Sequence, residues 1–198
     1  MHATPRVHLF SFTGLPVVCR EITPPIPLAE RTRDHGRGKN DPPIRRMILN
    51  ETYTLANGAP IPKLGFGTWF IEDGAAAQAV QDAIGIGYRN IDTAQAYGNE
   101  RGVGEGVRSS GVPRDELYVS SKLAAEIKDY DGAVSAIDGS LTLMGLEYLD
   151  LMMIHSPQPW NDWRGGSYAE GNRAAWRALE EAHDAGKLRS IGVSNFEQ

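Results

Sequence analysis

Short apolar runs, each ending in a polar side chain, recur along the second half of the chain. Four of them end at Asp92, Lys122, His155 and Asn195, and they cover Tyr88–Asp92, Leu117–Lys122, Leu149–His155 and Ser190–Asn195. The successive end residues lie 30, 33 and 40 positions apart. A strand–helix–strand unit takes about 30 residues. The spacing therefore predicts parallel strands joined by helices.

An earlier run, Leu64–Trp69, predicts the first strand of this sheet. Its glycines, Gly65 and Gly67, permit close approach of a ligand or of another backbone, although a tight strand exit explains them equally well. Before it, Asn57-Gly58 stands between two extended segments, which is the strongest short-range signal of a β-hairpin. We therefore expect a hairpin followed by the parallel strands.

Segments with apolar residues at three- and four-residue spacing fill the gaps between the predicted strands, and glycines follow them. This spacing predicts helices with one apolar face. We expect four, at Asp73–Ile84 with Asp73 as the cap, at Glu100–Ser110 after Asn99, from Asp129 or Asp131 to Met144, and at about 170–185. In the second, Gly102, Gly104 and Gly106 each cost about 1 kcal/mol relative to alanine. We expect packing on the sheet to hold that helix.

The first 46 residues differ in composition from the rest. They contain seven of the twelve prolines and 8 Lys and Arg against 4 Asp and Glu (+4), whereas residues 47–198 carry 12 against 21 (−9). A segment with so little to bury cannot offset its ordering entropy. We predict a disordered, dispensable extension over 1–46, with a functional basic tail as the alternative, and a domain that begins at Met47. Because nucleic-acid binding needs basic charge on the folded part, we expect no nucleic-acid partner.

Cysteine content and hydropathy indicate the compartment. Cys19 is the one cysteine of the sequence, which rules out an internal disulfide framework and fits a reducing environment. No run approaches the ~18 apolar residues that cross a bilayer. Polar residues and Pro16 interrupt the stretch Val7–Val18, so it lacks the pattern of a signal peptide. We expect a cytoplasmic protein with no membrane partner.

Four residues at strand ends or in the loop after a strand suggest one chemistry. Singly, Asp92, Tyr97, Lys122 and His155 each have an ordinary structural explanation, but together they place a carboxylate, a phenol, a cation and an imidazole at one edge of the sheet. A carbonyl that accepts a hydride needs a proton donor. A phenol, with a pKa of about 10, can serve if the lysine lowers that pKa and the aspartate fixes the lysine. The imidazole can direct the carbonyl oxygen, and a cofactor must carry the hydride.

Five strings occur in the order, spacing and wording of one known family. They are LGFGTW (64–69), YRNIDTAQAYGNE (88–100), YVSSKL (118–123), LDLMMIHSP (149–157) and KLRSIGVSNF (187–196), and they resemble the aldo-keto reductase family. The resemblance covers nearly all of residues 47–198. The strings IHSPQPW and EGNRAAWRALEEA are similar to the bacterial 2,5-diketogulonate reductase-like branch. The resemblance implies an α/β fold, a TIM (β/α)8 barrel truncated after about the fifth strand.

The same resemblance implies a role for each matched residue. Asp92, Tyr97, Lys122 and His155 match the catalytic tetrad, with Tyr97 as general acid in NADPH-dependent reduction of a small aldehyde or ketone of keto-sugar-acid type. The residues implied to contact NADPH or NADP+ are Gly67, Thr68, Trp69, Asp92, Ser194 and Asn195. The resemblance implies that Trp69, Tyr97 and His155 face the substrate. We predict that Trp160 and Trp163, from the long loop after His155, also wall the pocket, with surface packing of either loop tryptophan as the alternative. We expect no metal, and a monomer when full length.

Two features depart from the family pattern. Ala124 follows Lys122-Leu123 where many members have tryptophan, which implies a differently shaped pocket. Residues 47–198 number 152, whereas such a barrel typically takes about 250. We therefore expect strands six to eight, with the segments that stack nicotinamide and hold the 2′-phosphate, to be missing from these 198 residues, and the chain alone to be inactive.

Two alternatives to a reductase stay open. One is a non-catalytic remnant or binding subunit with the same fold, although a binding role would not require all four residues of the set. The other is a sugar-phosphate barrel enzyme, although nothing in the sequence resembles a nicotinamide-free isomerase site. A completed carbonyl reductase therefore remains the leading hypothesis.

Overall fold

The computed structural model describes residues 48–49, 51–162 and 165–196. The extension predicted for 1–46, the predicted domain start at Met47 and the predicted pocket residue Trp163 lie outside the described residues. The strands are β1 Thr52–Thr54, β2 Pro60–Pro62, β3 Gly65–Gly67, β4 Asn90–Asp92, β5 Tyr118–Leu123, β6 Leu151–Ile154 and β7 Ile191–Val193. The α-helices are α1 Asp73–Ile86, α2 Glu100–Ser109, α3 Tyr130–Met144 and α4 Ala169–Asp184.

The five strands β3 to β7 form one parallel sheet in which spatial order follows chain order. One helix connects each strand to the next, from α1 between β3 and β4 to α4 between β6 and β7. Sequential parallel neighbours joined by helices are the repeating unit of a (β/α)8 barrel. The predicted fold is confirmed as a partial barrel, with β3 and β7 at the edges of the described sheet.

The predicted hairpin is confirmed and closes the amino end of the sheet. Strands β1 and β2 pair antiparallel, and Gly58 adopts φ 85°, a left-handed conformation that suits glycine. The Asn57 side chain donates to the Arg189 carbonyl at 3.0 Å and to Ser190 Oγ at 3.1 Å. Ile61 packs against Tyr118 and Leu151 at the same end. The hairpin therefore leaves the opposite, carboxyl end of the strands for chemistry.

The main core lies between the sheet and the helices. Alternate strand residues face the helices, and Ile91, Val119 and Met152 are fully buried there against Val80 of α1 and Ile137 of α3. The residues of opposite parity, among them Asp92, Lys122 and Leu151, face the inside of the barrel. Alternation along each strand thus separates the residues that stabilise the fold from those that form the site.

The glycines of α2 show how that helix packs. A Cβ on Gly106 would lie 2.7 Å from the Ala77 carbonyl oxygen of α1, and one on Gly104 would collide with the Met144 backbone at the end of α3. These glycines therefore let α2 approach its neighbouring helices, while its buried valines belong to the core that it shares with the sheet.

Asp73 also differs from its predicted role as a helix cap. It is the first residue of α1, the cap position is Glu72, and no side chain caps that helix. The Asp73 carboxylate instead accepts from the Gly102 backbone N–H at 2.8 Å and pairs with Arg101. Because those partners belong to α2, Asp73 ties two helices together at the point where the α2 glycines allow close approach.

Candidate active site

A buried ion pair lies inside the barrel at the carboxyl end of β4 and β5. Lys122 Nζ donates to Asp92 Oδ1 at 2.8 Å, to Asp92 Oδ2 at 2.7 Å and to the Thr93 carbonyl at 2.9 Å. Asp92 is 6% exposed and Lys122 2% exposed. Charges this deeply buried are tolerated only when they are paired and hydrogen-bonded, and here each charge has several partners. The ion pair thus joins two residues that are 30 positions apart in the sequence, and both are among the predicted strand-end residues.

Tyr97 lies over this pair. It ends a short 3-10 turn, Gln95–Tyr97, that follows β4, and Gly98 leaves the turn at φ 67°. Lys122 Nζ is 5.2 Å from the centre of the Tyr97 ring. The Gln95 side chain donates to the Ala136 carbonyl and to Ser140 Oγ, and accepts from the Ala124 N–H. The turn that carries the phenol is therefore anchored to α3 and to the loop after β5.

The electrostatics of Tyr97 correct the predicted effect of Lys122. Burial, and secondarily the negative charge of Asp92, raise the pKa of the Tyr97 phenol well above its ordinary value. The sequence argument expected Lys122 to lower that pKa. The lysine cation is instead engaged by the Asp92 carboxylate and the Thr93 carbonyl, so its field at the phenol is largely compensated. Tyr97 is accordingly protonated at neutral pH.

His155 follows β6 and lies beside the Tyr97 ring. Its side chain is buried, and burial together with the positive charge of Lys122 lowers the pKa of His155 to about 4. The imidazole is therefore neutral at neutral pH and carries one N–H. Its buried Nδ1 atom has no hydrogen-bond partner among the described residues. A neutral ring of this kind can donate one hydrogen bond without adding charge to the site.

Aromatic rings form a continuous row across the site. The Trp69 and Tyr97 rings stack with centroids 6.3 Å apart, Tyr97 and His155 meet edge to face at 5.8 Å, and His155 and Trp160 meet edge to face at 5.3 Å. Trp69 is 51% exposed and Trp160 44% exposed, whereas His155 is buried. The row thus leads from open surface at both ends to the buried groups at its centre, and all four predicted substrate-pocket residues belong to it.

The predicted cofactor residues of β3 lie directly beside Asp92. Gly67 is the cross-strand neighbour of Asp92, and Thr68 donates to the Asp92 carbonyl from its backbone N at 3.0 Å and from Oγ1 at 3.1 Å. The Asn99 side chain donates in turn to the Thr68 carbonyl at 2.8 Å. These bonds hold the exit of β3 in place, and Trp69 leaves it towards the surface.

Ser194 and Asn195 lie at the other side of the site, after β7. The Ser194 N–H donates to the Ile154 carbonyl at 2.9 Å, and Asn195 Nδ2 donates to the His155 carbonyl at 2.8 Å and to Ser194 Oγ at 3.0 Å. Asn195 adopts φ 61°, which asparagine tolerates better than most residues. The structure therefore places this predicted pair next to His155.

Sequence reasoning missed two residues at the site. Ser120 Oγ donates to Asp92 Oδ1 at 2.9 Å, and its only sequence signal was a position two residues before Lys122 on a strand. Phe70 stacks on Trp69 with centroids 4.2 Å apart, has φ 64° and is 74% exposed. No pattern in the sequence predicted a phenylalanine in that conformation. Phe70 thus extends the aromatic row beyond Trp69.

The described residues contain neither a metal-binding cluster nor a membrane-spanning helix. In the part of the chain that the structure describes, no cluster of three or more His, Cys, Asp or Glu side chains is arranged to hold a metal ion. Within the same ranges, no helix has both the length and the apolar character needed to cross a bilayer.

The chain is similar to named reductases along most of its folded part. It is 46% identical over 145 residues to 9,11-endoperoxide prostaglandin H2 reductase of Trypanosoma cruzi (strain CL Brener), covering 73% of this chain and 48% of that protein. It is 43% identical over 150 residues to glyoxal reductase of Bacillus subtilis (strain 168), covering 75% and 51%. The chain therefore spans about half the length of the curated relatives it matches.

Solved structures of reductases are also similar to this chain. An aldo/keto reductase from Brucella melitensis superposes with a TM-score of 0.69 at 38% identity, covering 76% of this chain and 55% of that one. The Bombyx mori aldo-keto reductase in complex with NADP gives 0.63 at 36%, covering 74% and 50%. A candidate 2,5-diketo-D-gluconic acid reductase B gives 0.66 at 34%, covering 78% and 50%, which agrees with the branch resemblance in the sequence.

The model of the Aldo/keto reductase family matches residues 63–198, more than half of the chain. That match begins just before β3 and includes Asp92, Tyr97, Lys122 and His155. On this match and on relatives more than 40% identical over about three quarters of its length, the chain belongs to the aldo/keto reductase family.

Proposed function

We propose that these residues form the catalytic half of an NADPH-dependent reductase that converts a small aldehyde or ketone to the alcohol. The observation that carries the proposal is the buried Asp92–Lys122 pair beneath a protonated Tyr97, with the neutral His155 edge-on to the phenol ring at 5.8 Å. A hydroxyl acid and a neutral hydrogen-bond donor converging over a fixed cation suit a carbonyl oxygen that gains negative charge.

Tyr97 serves as the general acid in this proposal. The raised pKa of its phenol keeps the proton on the oxygen in the resting site. An alkoxide formed from the carbonyl is a stronger base than a phenolate and takes that proton. Lys122, 5.2 Å from the ring centre and held by Asp92, is then the cation that offsets part of the negative charge left on the phenolate. Each of the three residues thus acts at a different stage of one proton transfer.

His155 orients the carbonyl in this proposal. With its pKa lowered to about 4, the imidazole has one N–H to donate and does not compete with Tyr97 as an acid. A hydrogen bond from it to the carbonyl oxygen strengthens as charge develops on that oxygen. The edge-to-face contact with Trp160 at 5.3 Å restricts the ring, so the direction of the donor is set by packing.

The residues on both sides of the site have a chemistry that suits a nicotinamide. Thr68 and Trp69 border Asp92 on one side, with the Trp69 indole half exposed, and the Ser194 hydroxyl and Asn195 amide lie beside His155 on the other. These residues, with Gly67 and Asp92, would hold the nicotinamide ring and its carboxamide. When bound, NADPH supplies the hydride. Phosphate contacts in such barrels commonly come from the loops after strands seven and eight.

The substrate we propose is small and polar, such as a keto-sugar acid or a short aldehyde, in preference to a polycyclic ketone. Supporting this, the relative from Bacillus subtilis is named for glyoxal, and Trp69 and Trp160 flank Tyr97 and His155 in a short aromatic row. Ala124, where the family resemblance implies tryptophan in many members, would reshape the wall after β5. We further propose a cytoplasmic enzyme that is monomeric at full length and has no nucleic-acid or membrane partner.

The test is NADPH oxidation with a panel of carbonyl compounds. Because the chain spans about half of its relatives, the assay uses residues 1–198 alone and the same residues joined to the C-terminal half of the Bacillus subtilis glyoxal reductase, called here the completed barrel. We expect the completed barrel to reduce short aldehydes and keto acids, and residues 1–198 alone to be inactive. Preference for polycyclic ketones would overturn the substrate class, and an inactive but folded completed barrel would favour the binding subunit.

A further inference from the structure

Ser120 occupies a singular position relative to the ion pair. It is the direct cross-strand neighbour of Asp92, and Lys122 lies two residues farther along the same strand. Because side chains alternate along a strand, Ser120 and Lys122 face the same side. Ser120 Oγ lies 2.9 Å from Asp92 Oδ1 and 3.5 Å from the Ile91 carbonyl, so the carboxylate is the better acceptor. Ser120 and Asp92 are 4% and 6% exposed.

The two donors to Asp92 have different capacities to fix it. An ammonium group is a compact charge with rotatable donors, and it attracts a carboxylate without defining the plane of that carboxylate. A serine hydroxyl on a paired strand comes from a fixed direction. With Lys122 at both oxygens and Ser120 at Oδ1, the carboxylate has a third contact that selects one rotation. Without the hydroxyl, Asp92 can turn about its last bond and loosen one of the two lysine contacts.

We propose that Ser120 is a positioning residue that locks the Asp92 carboxylate so that both of its oxygens engage Lys122. The lock sets where the ammonium stands relative to the Tyr97 ring, 5.2 Å away. Ser120 acts on the phenol only through Asp92 and Lys122. Its relevance to catalysis therefore rests on the proposed carbonyl reduction.

The adjacent serine provides a matched control. Ser121 is fully buried on the opposite face of β5, and its Oγ donates to Glu100 Oε1 at 2.6 Å. Glu100, itself 4% exposed, also accepts from Ser140 Oγ at 3.2 Å. Ser120→Ala and Ser121→Ala therefore each remove one buried hydrogen bond from a hydroxyl to a carboxyl group. Only the first removes a bond to the ion pair.

The experiment measures how fast the Lys122 ammonium protons exchange with water, by 15N NMR of the 198-residue chain, with Lys122→Met to assign the signal. Because loss of this hydrogen bond to a charged group loosens one of the two lysine contacts, we expect Ser120→Ala to speed exchange by about tenfold or more. Ser120→Thr, which keeps the hydroxyl, should stay within about twofold of the unsubstituted chain. Ser121→Ala should also stay within about twofold.

A second pair of variants guards against a folding defect. Ser120→Val matches Ser120→Thr in shape and lacks the hydroxyl, so faster exchange in the valine variant alone supports the lock even if alanine unfolds the chain. Equal exchange in the threonine and valine variants would overturn the proposal, as would an equal effect of Ser121→Ala. These exchange rates are measured without turnover. A failure of the proposed reaction in the carbonyl assay is therefore distinguishable from a failure of the serine lock.

Discussion

The two ends of the sheet use the same three kinds of residue in opposite ways. At the carboxyl end, Asp92, Lys122 and Tyr97 form a buried pair beneath a phenol. At the amino end, Asp150 accepts from Arg114 at 2.7 Å and from Arg189 at 3.4 Å. The Tyr148 ring there lies 4.1 Å from the Arg114 guanidinium and 3.8 Å from that of Arg189. Each end thus combines a carboxylate, a cation and a tyrosine.

The amino-end cluster is built to be redundant. Asp150 has two arginines and also accepts from the Val119 N–H at 2.9 Å, and Arg114 bonds the Leu117 and Tyr148 carbonyls as well. Both guanidinium groups also lie against the Tyr148 ring. Arginine is permanently charged and suited to several fixed bonds. Such a cluster stabilises the strand starts.

The carboxyl-end cluster has one lysine, and the ring of its half-buried tyrosine contacts Trp69 and His155. Residue types alone therefore do not identify which of the two clusters is a functional site. A single cation that depends on one carboxylate, placed beside an accessible acid, is what makes this end suitable for chemistry. In barrels of this kind the carboxyl end carries function and the amino end carries stability.

The largest expected effect separates the two tyrosines. Tyr97→Phe removes the proposed proton donor, and in the completed barrel it should lower kcat for carbonyl reduction by roughly 10²–10⁴ with NADPH affinity nearly unchanged. Tyr148→Phe should leave kcat within about twofold, because it keeps the ring that both arginines contact and loses only a 3.5 Å hydrogen bond from the hydroxyl to the Arg114 carbonyl. Steady-state kinetics of both variants checks this, and full activity of Tyr97→Phe would refute its role as the acid.

The next effect concerns redundancy of charge. Lys122→Met leaves Asp92 buried without its cation and should lower the free energy of unfolding by about 3–5 kcal/mol at pH 7. Arg189→Met should cost less than about 1 kcal/mol, since its side chain is 49% exposed and Arg114 still pairs with Asp150. Urea unfolding of the two variants measures the difference. Equal losses would mean that the amino-end cluster is not redundant.

A third effect follows from the neutral imidazole at the carboxyl end. The folded pKa of His155, about 4, lies below its ordinary value of 6.5, so between these values the unfolded chain binds a proton that the folded chain excludes. Stability should therefore fall as pH drops from about 6.5 to 4, by about 3 kcal/mol from this residue. His155→Gln should remove that share of the loss in urea unfolding at several pH values. If the free energy of unfolding of His155→Gln depended on pH as it does in the unsubstituted chain, burial of His155 would not be the cause of the loss.

The smallest effect tests the serine beside the ion pair. In the completed barrel, Ser120→Ala should lower kcat about tenfold and leave the KM for NADPH nearly unchanged, because the hydroxyl acts on the position of Lys122. Ser121→Ala should leave kcat within about twofold, although it should lower the melting temperature about as much as Ser120→Ala does. If both serine variants reduce kcat equally, the loss reflects general packing of β5.

Much of this arrangement was predictable because parallel strands end at one edge. The sequence could place Asp92, Lys122 and His155 together, since each ends an apolar run and the runs recur at the length of one strand–helix unit. The Asn57-Gly58 hairpin was predictable for a similar reason, because its turn chemistry is local. Features that depend on strand alternation or on local turn conformation could thus be predicted from the sequence alone.

The rest depended on three-dimensional placement. The direction of the Tyr97 pKa shift follows from burial and from the negative charge of Asp92, neither of which is encoded in spacing. Asp73 reads as a helix cap in the sequence, yet its carboxylate bonds a neighbouring helix. The positive φ of Phe70 has no local signal, because bulky residues rarely adopt it.

The most direct test of the central claim, that the carboxyl end reduces a carbonyl, follows the hydrogen itself. The completed barrel is incubated with glyoxal and NADPH deuterated at the carbon that carries the hydride, and the product is examined by mass spectrometry. We expect one deuterium on the former carbonyl carbon, at a rate that Tyr148→Phe leaves unchanged and Tyr97→Phe lowers by roughly 10²–10⁴. Deuterium that stays in the cofactor while a folded barrel leaves glyoxal unreduced would contradict it.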